Sequence, residues 1–229
     1  MEYILFIGFC ILVLILLWFI LGINIKKVKQ IGENKELDEL TNTFPENIDI
    51  CKSILAKLGN TNVNIKEDNE SKTNLYVVVE NRITIANIRN SYTRIQTVAH
   101  ECIHSVQNKK MLWFNFIFTN IYLLYFVIIL ILTLTRVIKN PNIFLYILII
   151  MSMVQYFIRS MLETDAMTRA RYVAKEYLEE NNICSNEEVT KIITQYDKLN
   201  DMGIKLVNFD ILVKNIIKIV IYCIICIVI

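Results

Sequence analysis

The sequence predicts a multi-pass α-helical membrane protein with a small α+β cytoplasmic domain built around one helix that carries an HExxH pattern. Three observations lead there. The 229-residue chain is 55% hydrophobic, against about 45–50% for a soluble globular chain, and its mean hydropathy is +0.44. The apolar excess sits in a few long blocks separated by ordinary polar sequence. The two histidines of the chain, His100 and His104, stand four residues apart. Together these features exclude a secreted mini-protein, a disordered tail and a fibrous repeat, and they speak against a purely soluble enzyme. A net charge of +2 on 24 basic and 22 acidic residues gives no electrostatic case for a nucleic-acid partner.

The first element, residues 1–25, is a membrane anchor. The stretch from Tyr3 to about Ile23 carries no charge, and about 20 apolar residues cross a bilayer core. Only Glu2 precedes it, whereas Lys26, Lys27 and Lys29 follow it at once. A cleaved signal peptide has its positive charge first, so the anchor is read as retained. Positive charge stays inside, which places the N-terminus outside and residue 26 onward in the cytoplasm.

Residues 26–110 form a cytoplasmic α+β region. A helix is expected over 46–58, started near Pro45 and stopped by Gly59. Thr61–Lys66 alternates enough for a strand. Leu75–Glu80 and Arg82–Ala86 are β-rich and joined at Asn81, the pattern of a tight hairpin. Asn90 or Ser91 can cap a helix running to about Lys110, whose apolar face is Ile95, Val98, Ala99, Cys102, Ile103 and Val106.

Residues 111–158 are too long for one crossing, and Arg136–Asn142 interrupts them; the expectation is a hairpin of two spans, about 111–135 and 142–158. Residues 159–210 return to the cytoplasm as two helices, 159–180 and 186–199, parted by Asn181–Ser185. Residues 211–229 read as a fourth span, with Lys214 and Lys218 snorkelling, or as a helix lying in the interface. The six cysteines suggest no disulfide framework, and Cys223–Cys226 reads as apolar filler rather than a metal pair. Free thiols fit a reducing compartment.

The chemistry lies in His100-Glu101-Cys102-Ile103-His104. On a helix, residues four apart share a face, so both imidazoles can meet one Zn²⁺ at about 2.0–2.1 Å. Glu101 is rotated about 100° from His100 and stands beside the ion as a general base, taking a proton from a metal-activated water and delivering it to a leaving amine. A catalytic zinc needs a third protein ligand. There is no third histidine; Cys51 and Cys184 are possible, but a cysteine would favour a structural site. Glu163 is the best carboxylate. The motif helix ends about 10 Å before the membrane and Glu163 lies about 8 Å beyond it, at 1.5 Å per residue; two intervening spans return the chain to the same side. Asp165 is a candidate to orient a ligand histidine, or an ordinary surface residue. Gln107 is polar lining or plain helix surface.

The run Ile83–Gln107, with AHExxHxxQ at its centre, and the later ETDAMTRA resemble the YugP-type membrane zinc metallopeptidases of bacteria. The order of motif helix, two spans and Glu-bearing helix is also similar to that of the HtpX-type membrane gluzincins. The resemblance covers about 83–110 and 159–180. It implies a zincin-like domain and a zinc-dependent peptidase, with His100, His104 and Glu163 as ligands and Glu101 as general base. It further implies that Ile83–Ala86 is an edge strand to which extended peptide substrate adds. An oxyanion donor is required; Tyr92, Arg94, Arg169 and Tyr172 are the nearby candidates, with no basis for choosing among them.

The sequence reading is therefore a cell-membrane, multi-pass zinc metallopeptidase with its active site on the cytoplasmic face. Its partners are the lipid bilayer and peptide or membrane-protein substrates close to the membrane surface. The oligomeric state is open. The rival reading is a non-catalytic membrane scaffold with a structural or vestigial metal site. A transporter is disfavoured because the spans lack an intramembrane carboxylate and Gln155 is nearly their only strong polar group.

Overall fold

A computed structural model describes residues 1–229. In chain order the elements are α1 (Glu2–Ile20), α2 (Ile25–Gly32), α3 (Lys35–Glu39), α4 (Asn47–Lys57), β1 (Asn64–Asp68), β2 (Leu75–Val77), β3 (Arg82–Ala86), α5 (Arg94–Val106), α6 (Lys109–Leu134), α7 (Pro141–Glu180) and α8 (Asn186–Val228). A short 3-10 turn follows α3 at Leu40–Thr43. Four helices, α1, α6, α7 and α8, are long and apolar enough to cross a bilayer; the chain is a multi-pass membrane protein. It divides into two compact units. One comprises Met1–Ile23, Phe114–Met161 and Lys205–Ile229; the other comprises Asn24–Trp113 and Leu162–Ile204.

The apolar unit packs α6, α7 and α8 around Tyr122, Phe126, Ile129, Leu145, Leu148, Ile219, Tyr222 and Cys223. In hydrocarbon there is little hydrophobic gain from helix association, so packing and interhelical hydrogen bonds hold such bundles together. Here the Tyr122 and Ser152 hydroxyls bond at 2.7 Å, and Asn215 Nδ2 donates to Gln155 Oε1 at 2.7 Å and to the Ser152 carbonyl at 3.3 Å. Gln155 thus has a partner on α8, which ties that helix into the bundle. The Lys218 ammonium lies 4.5 Å from the Tyr122 ring centroid, a cation–π contact. Arg136, with φ +58°, turns the chain between α6 and α7, and Pro141 opens α7 at the position where a missing N–H costs least.

The polar unit is built on a three-stranded sheet in the order β1-β3-β2. β1 pairs with β3 in parallel, Ile65 opposite Ile83, and β2 pairs antiparallel, Tyr76 opposite Ile83. Alternation along β3 sends Ile83 and Ile85 into the core, as a period of two requires. There they meet α4 (Ile50, Cys51, Ile54), α5 (Ile95, Val98, Ala99, Cys102), α7 (Ala170, Ala174, Leu178) and α8 (Val189, Ile192, Tyr196). Burying each large aliphatic side chain contributes about 1.5–3 kcal/mol. α4 closes on Gly59 at φ +70°: Gly59 N–H bonds the Ala56 carbonyl and Asn60 N–H the Leu55 carbonyl. This is the Schellman arrangement that favours glycine.

Several sequence expectations need correction. Ile83–Ala86 is the central strand, so it has no free edge. The first hairpin strand stops at Val77, and Asn81, at φ +45°, makes the turn. The motif helix neither starts at a side-chain cap from Asn90 or Ser91 nor reaches Lys110. It begins at Arg94 without a side-chain cap and ends at Gln107, whose backbone is extended at ψ 166°. The cause is Asn108: its Oδ1 accepts from the amides of Lys110 and Met111 at 2.9 and 3.3 Å and so caps a new helix. The two segments read as 186–199 and 211–229 are one 43-residue helix. Residues 24–45, unassigned from sequence, hold α2, α3 and the 3-10 turn.

Candidate metal centre

Two elements of the polar unit build the site. α5 turns Ile95, Val98, Ala99 and Cys102 into the core, and His100 and His104 follow one another along the flank of that buried face. α7 buries Ala170 and Ala174 in the same core; Glu163 is seven residues before Ala170, two turns along the same face. The helix packing that buries those alanines therefore carries Glu163 to the histidines.

His100 Nε2 lies 3.0 Å from His104 Nε2. Glu163 Oε2 lies 3.5 Å from the first and 3.7 Å from the second. Ligand atoms about 2.0–2.1 Å from a tetrahedral ion are about 3.3–3.4 Å apart, and the three edges bracket that value. The residues form a His/His/carboxylate cluster able to hold a divalent cation such as zinc, and its donor set is the kind zinc takes. The side chains of His100 and Glu163 keep 21% of their exposure, leaving the cluster reachable from solvent.

Electrostatics couple the three groups. Burial alone would raise the Glu163 carboxyl, but the adjacent His100 and His104 imidazoles outweigh it and hold that carboxyl far below the usual carboxylate range. Burial would pull the His104 imidazole down; Glu163, the charge of Glu101 and the Gln107 contact overcome it, and His104 is raised.

Glu101 is buried, and its Oε2 accepts the Tyr76 amide of β2 at 2.7 Å. The motif carboxylate is thus tethered to the strand beside it. Gln107, also buried, is hydrogen-bonded to His104 Nδ1 at 2.8 Å. Its Nε2 donates to Asp165 Oδ2 and to the Leu162 carbonyl, each at 2.8 Å. Asp165 therefore reaches His104 through Gln107 rather than directly, and Arg169 sits 3.5 Å from the same carboxylate.

Comparison of the chain with protein-family models, characterised proteins and solved structures finds no match. What the chain can do rests on its own geometry.

The other sequence candidates separate clearly. Cys51 is buried against Cys102 at 3.6 Å between sulfurs, on the core side of α5, and Cys184 is free; neither joins the cluster. Tyr92 is buried with its hydroxyl on the Ile31 carbonyl at 2.6 Å. Arg94 is buried too, donating to Asn47 and to the Thr41 and Phe44 carbonyls. Both are committed to the core and are removed as oxyanion donors. Tyr172 accepts from Arg171 at 2.9 Å. Sequence reasoning left Gln107 undecided, although its position three residues after His104 was a usable signal. The Tyr76 amide had no signal at all, because backbone donors are invisible in a pattern of side chains.

Proposed function

We propose that this protein is a membrane-bound zinc metallopeptidase that hydrolyses peptide bonds, with His100, His104 and Glu163 as ligands and Glu101 as general base. The observation that carries this reading is the triangle of ligand atoms with Glu101 on the same helical turn as His100. A bound zinc would supply a Lewis acid for the scissile carbonyl and for the attacking water. Glu101 accepts the proton of that water and passes it to the leaving amine, the role that suits a carboxylate one position past a ligand histidine. The Tyr76 N–H donates to Oε2 of Glu101; this sets the direction of the carboxylate. The substrates are peptides or membrane-protein segments near the bilayer surface, and the site faces the cytoplasm, by the lysine bias after α1.

The test is cleavage of a peptide library by the purified full chain and its Glu101→Gln variant. Cleavage should fall about 10²–10⁴-fold while bound zinc is unchanged. Undiminished cleavage in the variant would contradict the role given to Glu101, and no cleavage by the zinc-loaded parent would favour a scaffold with a structural metal.

A further inference from the structure

We propose that Gln107 is the positioning residue of this centre: its single carboxamide fixes which nitrogen of His104 faces the ion and fastens the motif helix to the helix that supplies Glu163. This deepens the metal reading above and rests on it.

The argument begins with the direction of the amide. The nitrogen and oxygen of a glutamine side chain are told apart by their partners. One end of Gln107 meets the Leu162 carbonyl and the Asp165 carboxylate, at 2.8 Å each. An ionised carboxylate and a carbonyl only accept, so that end must be the NH₂ group. The other end is then the oxygen, and it meets His104 Nδ1 at 2.8 Å. An amide oxygen only accepts, so Nδ1 must carry the proton. His104 Nε2 is left with its lone pair directed toward His100 and Glu163. A neutral imidazole binds metal through the nitrogen that lacks a proton, and the partner of the other nitrogen decides which that is.

The same carboxamide performs a second task. Leu162 is the residue before Glu163, so the bond to its carbonyl fastens Gln107 to the backbone of α7 beside the third ligand. The extended backbone at Gln107, forced by the Asn108 cap, stops α5 there and directs the side chain across to α7. The polar amide is buried, where an unmatched donor would cost about 1–3 kcal/mol; burial and three matched partners make this a specific connector.

The experiment uses the full-length protein in detergent. With two histidines in the chain, ¹⁵N-histidine spectra at alkaline pH can be assigned with a His100→Gln variant. Without metal, His104 is expected to hold its proton on Nδ1, and Gln107→Leu should return it to Nε2, a change that a merely structural role would not produce. By chelator competition, Gln107→Leu should bind zinc about 10–100-fold more weakly. Gln107→Glu keeps an acceptor for the His104 Nδ1 proton but sets a carboxylate oxygen against the Leu162 carbonyl, which has no proton to share with it; it should therefore keep the Nδ1 tautomer that Gln107→Leu loses, and a tautomer that moves in both variants would contradict the acceptor role. A native His104 protonated on Nε2, or Gln107→Leu binding zinc within about threefold of the parent where 10–100-fold is expected, would overturn the proposal. A parent that binds no zinc would sink the metal reading instead, and the ring tautomer would still decide the role of Gln107.

Discussion

Glu163 and His104 each stabilise the charged form of the other, and this makes the stability of the metal-free protein depend on pH in two opposite ways. The Glu163 carboxyl is depressed on folding, so its contribution is complete above the ordinary glutamate value of about 4.3 and fades as pH falls below it. The His104 imidazole is raised, so its contribution is complete below the ordinary histidine value of about 6.5 and fades as pH rises through the folded value. Thermal melts of the metal-free protein should therefore show the pair's contribution between about pH 4.3 and 6.5, and Glu163→Gln should remove it. Zinc requires unprotonated imidazoles, so saturating zinc should move the stability maximum to higher pH; a maximum that zinc leaves unmoved would argue against coordination by these rings. The histidines, Glu101 and Glu163 were legible in the sequence, because their spacing and the two intervening spans constrain them. The tether from Tyr76 was not, since it is a backbone amide delivered by strand register.

The elements explain why three ligands from two helices converge. α7 presents small residues, Ala166, Ala170 and Ala174, all buried, and Ala170 and Ala174 enter the core beneath the sheet. Small side chains let helix backbones approach closely. Ala170→Leu should overpack that face at about 1–3 kcal/mol, visible as a lower melting temperature. Because Glu163 lies on the same face, zinc affinity should fall as well; a destabilised variant with parental affinity would show that the alanine face does not position the ligand. Ile85→Ala, in the central strand, should cost about 2–5 kcal/mol. The periodicity of α4, α5 and α7 could be read along the chain because it is local. The sheet order could not: a hairpin places β2 beside β3, but nothing nearby in sequence says that β1 takes the other edge. Likewise the split between α5 and α6 depends on whether Asn108 continues one helix or caps the next, a competition that the apolar pattern does not resolve.

At the scale of the whole molecule, hydropathy pointed to three spans and to a fourth apolar segment read as a span or an interfacial helix, and four helices are long and apolar enough to cross a bilayer; the continuity of α8 through 186–228 was not anticipated, because polar and apolar segments of one helix look like two elements. The Asn215–Gln155 hydrogen bond should stabilise the apolar unit by about 0.6 kcal/mol, and up to about 1.7 kcal/mol, in a double-mutant cycle. Topology with the N-terminus outside requires that a membrane-impermeant thiol reagent label Lys139→Cys in intact cells and leave Cys184 unlabelled; the reverse pattern would invert the orientation. The central claim is that His100, His104 and Glu163 hold one ion together. Its most direct measurement is the zinc content of the purified full chain alongside His100→Ala, His104→Ala and Glu163→Gln, each shown to retain its helical content. The account expects about one tightly held zinc per chain in the parent, as one tetrahedral site requires, and a large loss of affinity in all three variants. Equal zinc in the parent and in Glu163→Gln, or no zinc in the parent, would contradict it.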